Sequence, residues 1–177
     1  MSLQTWLPLN GDTINVGLNC LEASTLGEVM YASGLFGGRC FNAGDGAVVA
    51  PLASIPEAFT ISLWYKGSIV SQNATLIAFG NANDRIELDT NSVAYVWKNG
   101  GSGLLPDGTK LYDAMFDGNW NHLAVSADGV TVKVYLNGQL KLSKPQSDSN
   151  NISFGADANL YVGSKMDGTG KWNGYIQ

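Results

Sequence analysis

The sequence predicts an all-β fold, a sandwich of two antiparallel sheets. Three observations carry that reading. Asx-Gly pairs recur along the chain, at Asn10-Gly11, Asp45-Gly46, Asn99-Gly100, Asp107-Gly108, Asp117-Gly118, Asp128-Gly129, Asn137-Gly138, Asp167-Gly168 and Asn173-Gly174. Such pairs tolerate the positive φ that tight hairpin turns demand. Between them lie short segments rich in Val, Ile, Thr, Tyr and Trp, the pattern of a sandwich or barrel. No segment sustains a helical period over three turns, and 25–31 admits a short turn at most.

Taken in order, strands are expected at 3–9, 47–50, 59–66, 75–79, 85–89, 93–98, 152–154, 160–162 and 172–176. In the third of these, Phe59, Ile61, Leu63 and Tyr65 alternate with Thr60, Ser62 and Trp64. One face is therefore apolar, and the other sets a tryptophan among small hydroxyls, which suits a second sheet face or a ligand groove. The clearest stretch is 120–143. Leu123 and Val125 alternate with His122, Ala124 and Ser126. Val130, Val132, Val134 and Leu136 then alternate with Thr131, Lys133 and Tyr135, and Leu140 and Leu142 flank Lys141. With Asp128-Gly129 and Asn137-Gly138 as turns, this is a three-strand meander with its aliphatic residues on the core side. Residues 99–119 read as a long loop, broken repeatedly by glycine and Asx. No repeat or linker divides the chain, so 1–177 is one domain.

Composition narrows the function. Fifteen acids against ten bases give a net charge of −5, which speaks against nucleic acid or anionic lipid as the main partner. No apolar run approaches the ~18 residues of a membrane span, and the start lacks the features of a secretory signal. The two cysteines, Cys20 and Cys40, are read as reduced thiols in preference to a bridge. One histidine and two cysteines leave little for a zinc site or a histidine-based catalytic centre, so the chain reads as a non-enzyme. His122 would have to serve any Ser-His-Asp site, but no Gly-x-Ser-x-Gly elbow occurs, and a packed structural ring is the preferred reading. Glu87 and Asp89 share a strand face, as a glycosidase pair would, yet the third carboxylate of a Glu-x-Asp-x-(x)-Glu run is missing; a degenerate glycoside hydrolase is a minor alternative.

A structural calcium is the ion best suited to Asp45, Asp84, Asp113, Asp117, Asp157 and Asp167 in or beside loops, although no Asp-x-Asp-x-Asp-Gly run is present. The aromatics supply the ligand candidates, because flat rings stack on the C–H faces of sugars or fill a core. Trp6, Trp64 and Trp120, inside strand patterns, are expected in the core. Trp97, Tyr112 and Trp172, nearer loops and strand ends, are the expected ligand-binding residues.

Six short segments together resemble the concanavalin A-like, laminin G-like jelly-roll superfamily: Leu7-Pro8-Leu9-Asn10-Gly11, Gly37-Gly38-Arg39-Cys40-Phe41-Asn42, 59–66, 119–125, 132–138, and Tyr161-Val162-Gly163 with Gly174-Tyr175-Ile176. The resemblance implies two face-packed sheets with a face or loop rim for ligands, and leaves the ligand open. The opening 3–11 also looks like bacteriophage and prophage virion or tail proteins. That implies a glycan-binding, host-attachment module on a virion, or a capsid or tail decoration protein making protein contacts. In the family the closing strand continues past the point where this chain stops. The domain is thus expected to lack its last strand, leaving an apolar edge with Leu3, Trp6 and Leu9 open to an oligomer contact or strand pairing.

Overall fold

The computed structural model describes residues 7–12, 14, 17, 21–44, 46–52, 58–67, 74–80, 85–89, 95–97, 118–145 and 159–177, and they hold strands and no helix. In chain order the strands are β1 (Ser24–Gly27), β2 (Met30–Ser33), β3 (Arg39–Asn42), β4 (Gly46–Pro51), β5 (Ala58–Gly67), β6 (Thr75–Gly80) and β7 (Arg85–Asp89). They continue with β8 (Tyr95–Trp97), β9 (Asn121–Asp128), β10 (Thr131–Leu136), β11 (Gln139–Pro145), β12 (Asn159–Val162) and β13 (Gly174–Ile176). Two antiparallel sheets result, one ordered β1-β4-β12-β6-β7-β8 and the other β11-β10-β9-β5-β13-β3-β2.

Alternation selects what each strand buries. On β5 the residues Leu63 and Tyr65 are buried and Phe59 and Ile61 pack against the same core, while Thr60 and Ser62 are exposed. On β9 the buried set is Asn121, Leu123, Val125 and Ala127. Phe41, Val48, Ala50, Leu76, Val134, Leu136, Val162 and Ile176 complete the interior. A sheet face that hides every second side chain needs a partner layer, and the two sheets supply that for each other.

The meander forms where expected, with two differences from strict alternation. Asn137 and Gly138 adopt φ of 51° and 76° between paired Leu136 and Gln139, the double positive φ of a type I′ turn. In the other hairpin only Gly129 has positive φ, and Ala127 pairs with Val132. Gly129 and Val130 therefore form the two-residue turn, and Val130 is 70% exposed instead of starting the core row. In β11, Leu142 faces Val134 but Leu140 faces Tyr135. The extra residue, Lys141, is a β-bulge, and it turns Leu140 to the other face, where it is 53% exposed.

Strands β1, β2 and β3 were not anticipated. β1 is exposed along its length and β2 is exposed or half-buried, so neither shows an apolar alternation. The expected strand at 3–9 is corrected where it is described: residues 7–9 join no sheet. Leu9 has φ of 51° and is 3% exposed, in the core. It therefore offers no edge to a partner, and Leu3 and Trp6 lie outside the described residues, as does 152–154. Asn10 Oδ1 accepts a hydrogen bond from the Arg39 amide, which pins this opening segment to β3. The closing strand β13 is paired on both sides, with β5 and β3, and Gln177 exchanges backbone hydrogen bonds of 2.7 and 2.9 Å with Trp64.

Candidate functional site: an aromatic row on the seven-stranded sheet

The residues of β5 that do not enter the core point outward from the seven-stranded sheet, and the register shows what stands beside them. Trp64 faces His122 across β9, Ser62 faces Ala124, and Thr60 faces Ser126. On the other side Lys66 faces Tyr175. Asn121 pairs with Tyr65, so the antiparallel register carried one residue on sets Trp120 beside Lys66. Tyr135 of β10 lies across from Ala124, and Lys133 across from Ser126.

These positions hold a connected set of rings. Trp64 and His122 lie with centroids 5.0 Å apart, tilted by 49°, and Phe36 meets Trp64 edge-on at 5.8 Å. Trp120 and Tyr175 are 6.5 Å apart and flank the Lys66 position. Ser62 Oγ and His122 Nε2 share a hydrogen bond of 2.8 Å. Phe36 is 68% exposed, and Trp64, Trp120, His122 and Tyr175 are half-buried.

Each part of the set is held by its surroundings. Phe36 lies on the loop between β2 and β3. The Gly34 amide donates to the Gly38 carbonyl at 2.8 Å, and the Leu35 amide donates to Gln177 Oε1 at 3.0 Å. Gln177 Nε2 in turn donates to the Arg39 carbonyl, so Gln177 braces the loop that carries Phe36. The His122 amide donates to Asn137 Oδ1, and Asn137 Nδ2 donates to Asn121 Oδ1. The I′ turn is thereby tied to the strand that carries the imidazole. Cys40 is free and fully buried in this sheet; burial raises its thiol pKa above the ordinary value, more than its hydrogen bond to Ala32 and the charge of Lys66 lower it. It is a packed thiol, not a reactive one.

A flat indole beside a hydroxyl–imidazole pair can take the apolar face of a sugar ring on one side and its hydroxyls on the other. The arrangement exchanges two expected roles. Trp64 and Trp120, expected in the core, are half-open on this face. Trp172, expected at a ligand, is 1% exposed and packs edge-on against Tyr65 at 5.8 Å. The Trp172 amide donates to the Gly163 carbonyl, and its ring lies over Gly67, where a Cβ would lie 2.5 Å from the indole, so the missing side chain there makes room for it. Trp97 belongs to the outermost described strand of the six-stranded sheet, its side chain outside the described ones, and Tyr112 lies outside the described residues. His122 packs against a ring, as expected, and its Nε2 shares a hydrogen bond with the Ser62 hydroxyl. Phe36 was not singled out; its one signal was an apolar pair, Leu35-Phe36, directly before Gly37-Gly38.

The acid pair and most of the loop aspartates lie outside the described side chains. Glu87 and Asp89 lie in β7, with side chains outside the described ones. Among the described residues no group of three His, Cys, Asp or Glu stands ready for a metal ion. Of the loop aspartates only Asp167 is described. Its Oδ1 accepts from the Thr169 hydroxyl and amide, bonds that close a turn and hold its pKa below the ordinary carboxylate value.

Comparison with known proteins agrees with this architecture. A search of curated proteins finds no match. Among solved structures, domain 4 of AbnA, an extracellular GH43 arabinanase from Geobacillus stearothermophilus in complex with arabinotriose, is 24% identical with a TM-score of 0.75. That likeness covers 100% of this chain and 91% of the other. The binding domain of Paraclostridial Mosquitocidal Protein 1 is 14% identical with a TM-score of 0.68, over 98% of this chain and 46% of that one. A botulinum neurotoxin type C structure, titled for cell entry dependent on two ganglioside molecules, is 19% identical with a TM-score of 0.64, over 99% and 47%. The chain thus spans about half the length of these toxin chains. A family profile described as "Concanavalin A-like lectin/glucanases superfamily" matches residues 42–177, most of the chain and β4 through β13, and on that ground the chain belongs to the concanavalin A-like lectin/glucanase superfamily.

Proposed function

We propose that this chain is a non-catalytic glycan-binding module and that the outer face of its seven-stranded sheet is the binding surface. The observation that carries the reading is the open Phe36–Trp64–His122 ring set with Ser62 bonded to the imidazole. Trp64 serves as the platform for a pyranose or furanose C–H face, and Ser62 and His122 serve as partners for its hydroxyls. The complex of one structural neighbour with arabinotriose supports this reading, as does the dependence of another's cell entry on gangliosides. Glycoside hydrolysis needs two carboxylates flanking the bond, whereas the side chains described around Trp64 are aromatic, hydroxyl and imidazole.

In its finer form the proposal places the module on a phage-type particle, where many copies would raise a weak single-site affinity. The phage-like opening segment supports that setting, with the virion as its location. A glycan array probed with multivalent wild-type protein and with Trp64→Ala tests the binding function. Binding by the wild type, weakened about tenfold or more in the variant, is expected of a central aromatic anchor. A wild type that binds no saccharide at high valency overturns the proposal and leaves the surface to protein contact, as in a capsid or tail decoration protein.

A further inference from the structure

Lys66 stands between Trp120 and Tyr175 on the face that carries Trp64. It is half-buried, and among the described residues no carboxylate pairs with it. The contrast with Lys133 is direct. Lys133, on the same face, sits 4.0 Å from Asp128 at the hairpin rim and already has a counter-charge. The chain as a whole is acidic, with a net charge of −5, yet this face carries Lys66 and Lys133 beside Asp128. A lysine between two ring-bearing neighbours and without a described counter-charge offers its ammonium to an anion on a ligand. Lys66 also lies two residues from Trp64 on one strand face, ~7 Å along the strand. That is the span between a stacked sugar ring and a carboxylate on it or on the next residue.

We infer that the ligand of this surface is an acidic saccharide, its ring on Trp64 and its carboxylate against the Lys66 ammonium. The inference rests on the glycan-binding reading and narrows it to uronic or sialic acid-type sugars. A lysine rather than an arginine serves a carboxylate presented at varying angles, because an ammonium is a point charge with rotatable donors.

The test uses paired probes: saccharides ending in a uronate or N-acetylneuraminate, and the methyl ester of each, which keeps the ring and removes the charge. Binding of wild type, Lys66→Met and Lys66→Arg is measured by titration, with circular dichroism and thermal unfolding to confirm the fold of each variant. For at least one pair, the free acid is expected to bind wild type about tenfold or more tightly than its ester. That preference should shrink with rising salt, vanish in Lys66→Met and return in part in Lys66→Arg. Equal affinity for acid and ester overturns the acidic-ligand inference while glycan binding stands. An acid preference unchanged in Lys66→Met also overturns it. Binding of neutral array saccharides only does the same, and no saccharide binding at all overturns this inference and the proposed function together.

Discussion

Trp172 meets the ring of Tyr65 edge-on at 5.8 Å and 87°, and Trp64 meets Phe36 edge-on at 5.8 Å and 86°. The two pairs share their geometry and differ in their surroundings. Trp172 lies between the sheets at 1% exposure, while Phe36 over Trp64 is 68% exposed. Edge-to-face packing adds only about 0.5–1.5 kcal/mol beyond area burial. What separates the pairs is therefore the area removed from water. The inner pair spends all of its apolar surface on folding. The outer pair leaves Phe36 open to solvent, so one kind of contact gives a core at one place and the proposed recognition surface at another.

Truncating the inner ring tests the contrast most severely. Trp172→Ala should cost about 3–5 kcal/mol of stability, read as a lowered urea midpoint, whereas Trp64→Ala should cost about 1 kcal/mol and lose binding. Equal losses of stability would break the distinction. Next, Gly163 has φ of 90°, and a Cβ there would lie 2.8 Å from Ala43 Cβ and 2.9 Å from Phe41 Cε1. Gly163→Ala should destabilise by about 2–3 kcal/mol in thermal unfolding and leave affinity per folded molecule unchanged, since the strain falls on the core side.

Asn137→Ala sharpens the outer half of the comparison. It removes the bonds to the His122 amide and to Asn121 Oδ1 and places alanine at φ of 51°. A loss of about 2 kcal/mol is expected, together with weaker glycan binding if the imidazole must be held in place; a variant with wild-type affinity would show that the turn serves stability alone. The smallest effect belongs to Asp128, whose carboxylate accepts from the Thr131 and Val130 amides, bonds that hold its pKa below the ordinary value. A depressed folded-state pKa contributes stability that is present above the unfolded carboxylate pKa of about 3.9 and lost as pH falls through the lower folded value. Unfolding of Asp128→Asn measured across that acid window should show a slightly shallower pH dependence than wild type. Identical slopes would mean that the turn bonds do not distinguish the charged from the neutral acceptor.

The β5 and β9 faces were legible because one buried face imposes period two on any strand, and Leu63, Tyr65, Leu123 and Val125 obey it. Likewise Asn137-Gly138 declared its own turn, since few other pairs accept positive φ twice. The same rule failed at Val130 and Leu140. A turn shifted by one residue and a bulge at Lys141 cost little locally, and they depend on how neighbouring strands twist against each other. Strands β1 and β2 escaped notice because exposed strands take their pairing from backbone alone and leave little trace in side-chain type.

The candidate site was half-visible. The Thr60, Ser62, Trp64 alternation already put an indole on the polar face of β5, but a tryptophan in a strand carries no mark of whether another layer will cover it. Local chemistry, meaning strand periodicity and turn φ, was thus written into the sequence itself. Which tryptophan stays on the outer face and which enters the core was settled only by tertiary neighbours: Phe36 meets Trp64 from a loop bonded to Gln177, and Trp172 lies over Gly67 and against Tyr65. Burial of a ring is a property of everything packed around it, and those neighbours come from segments far apart in the chain.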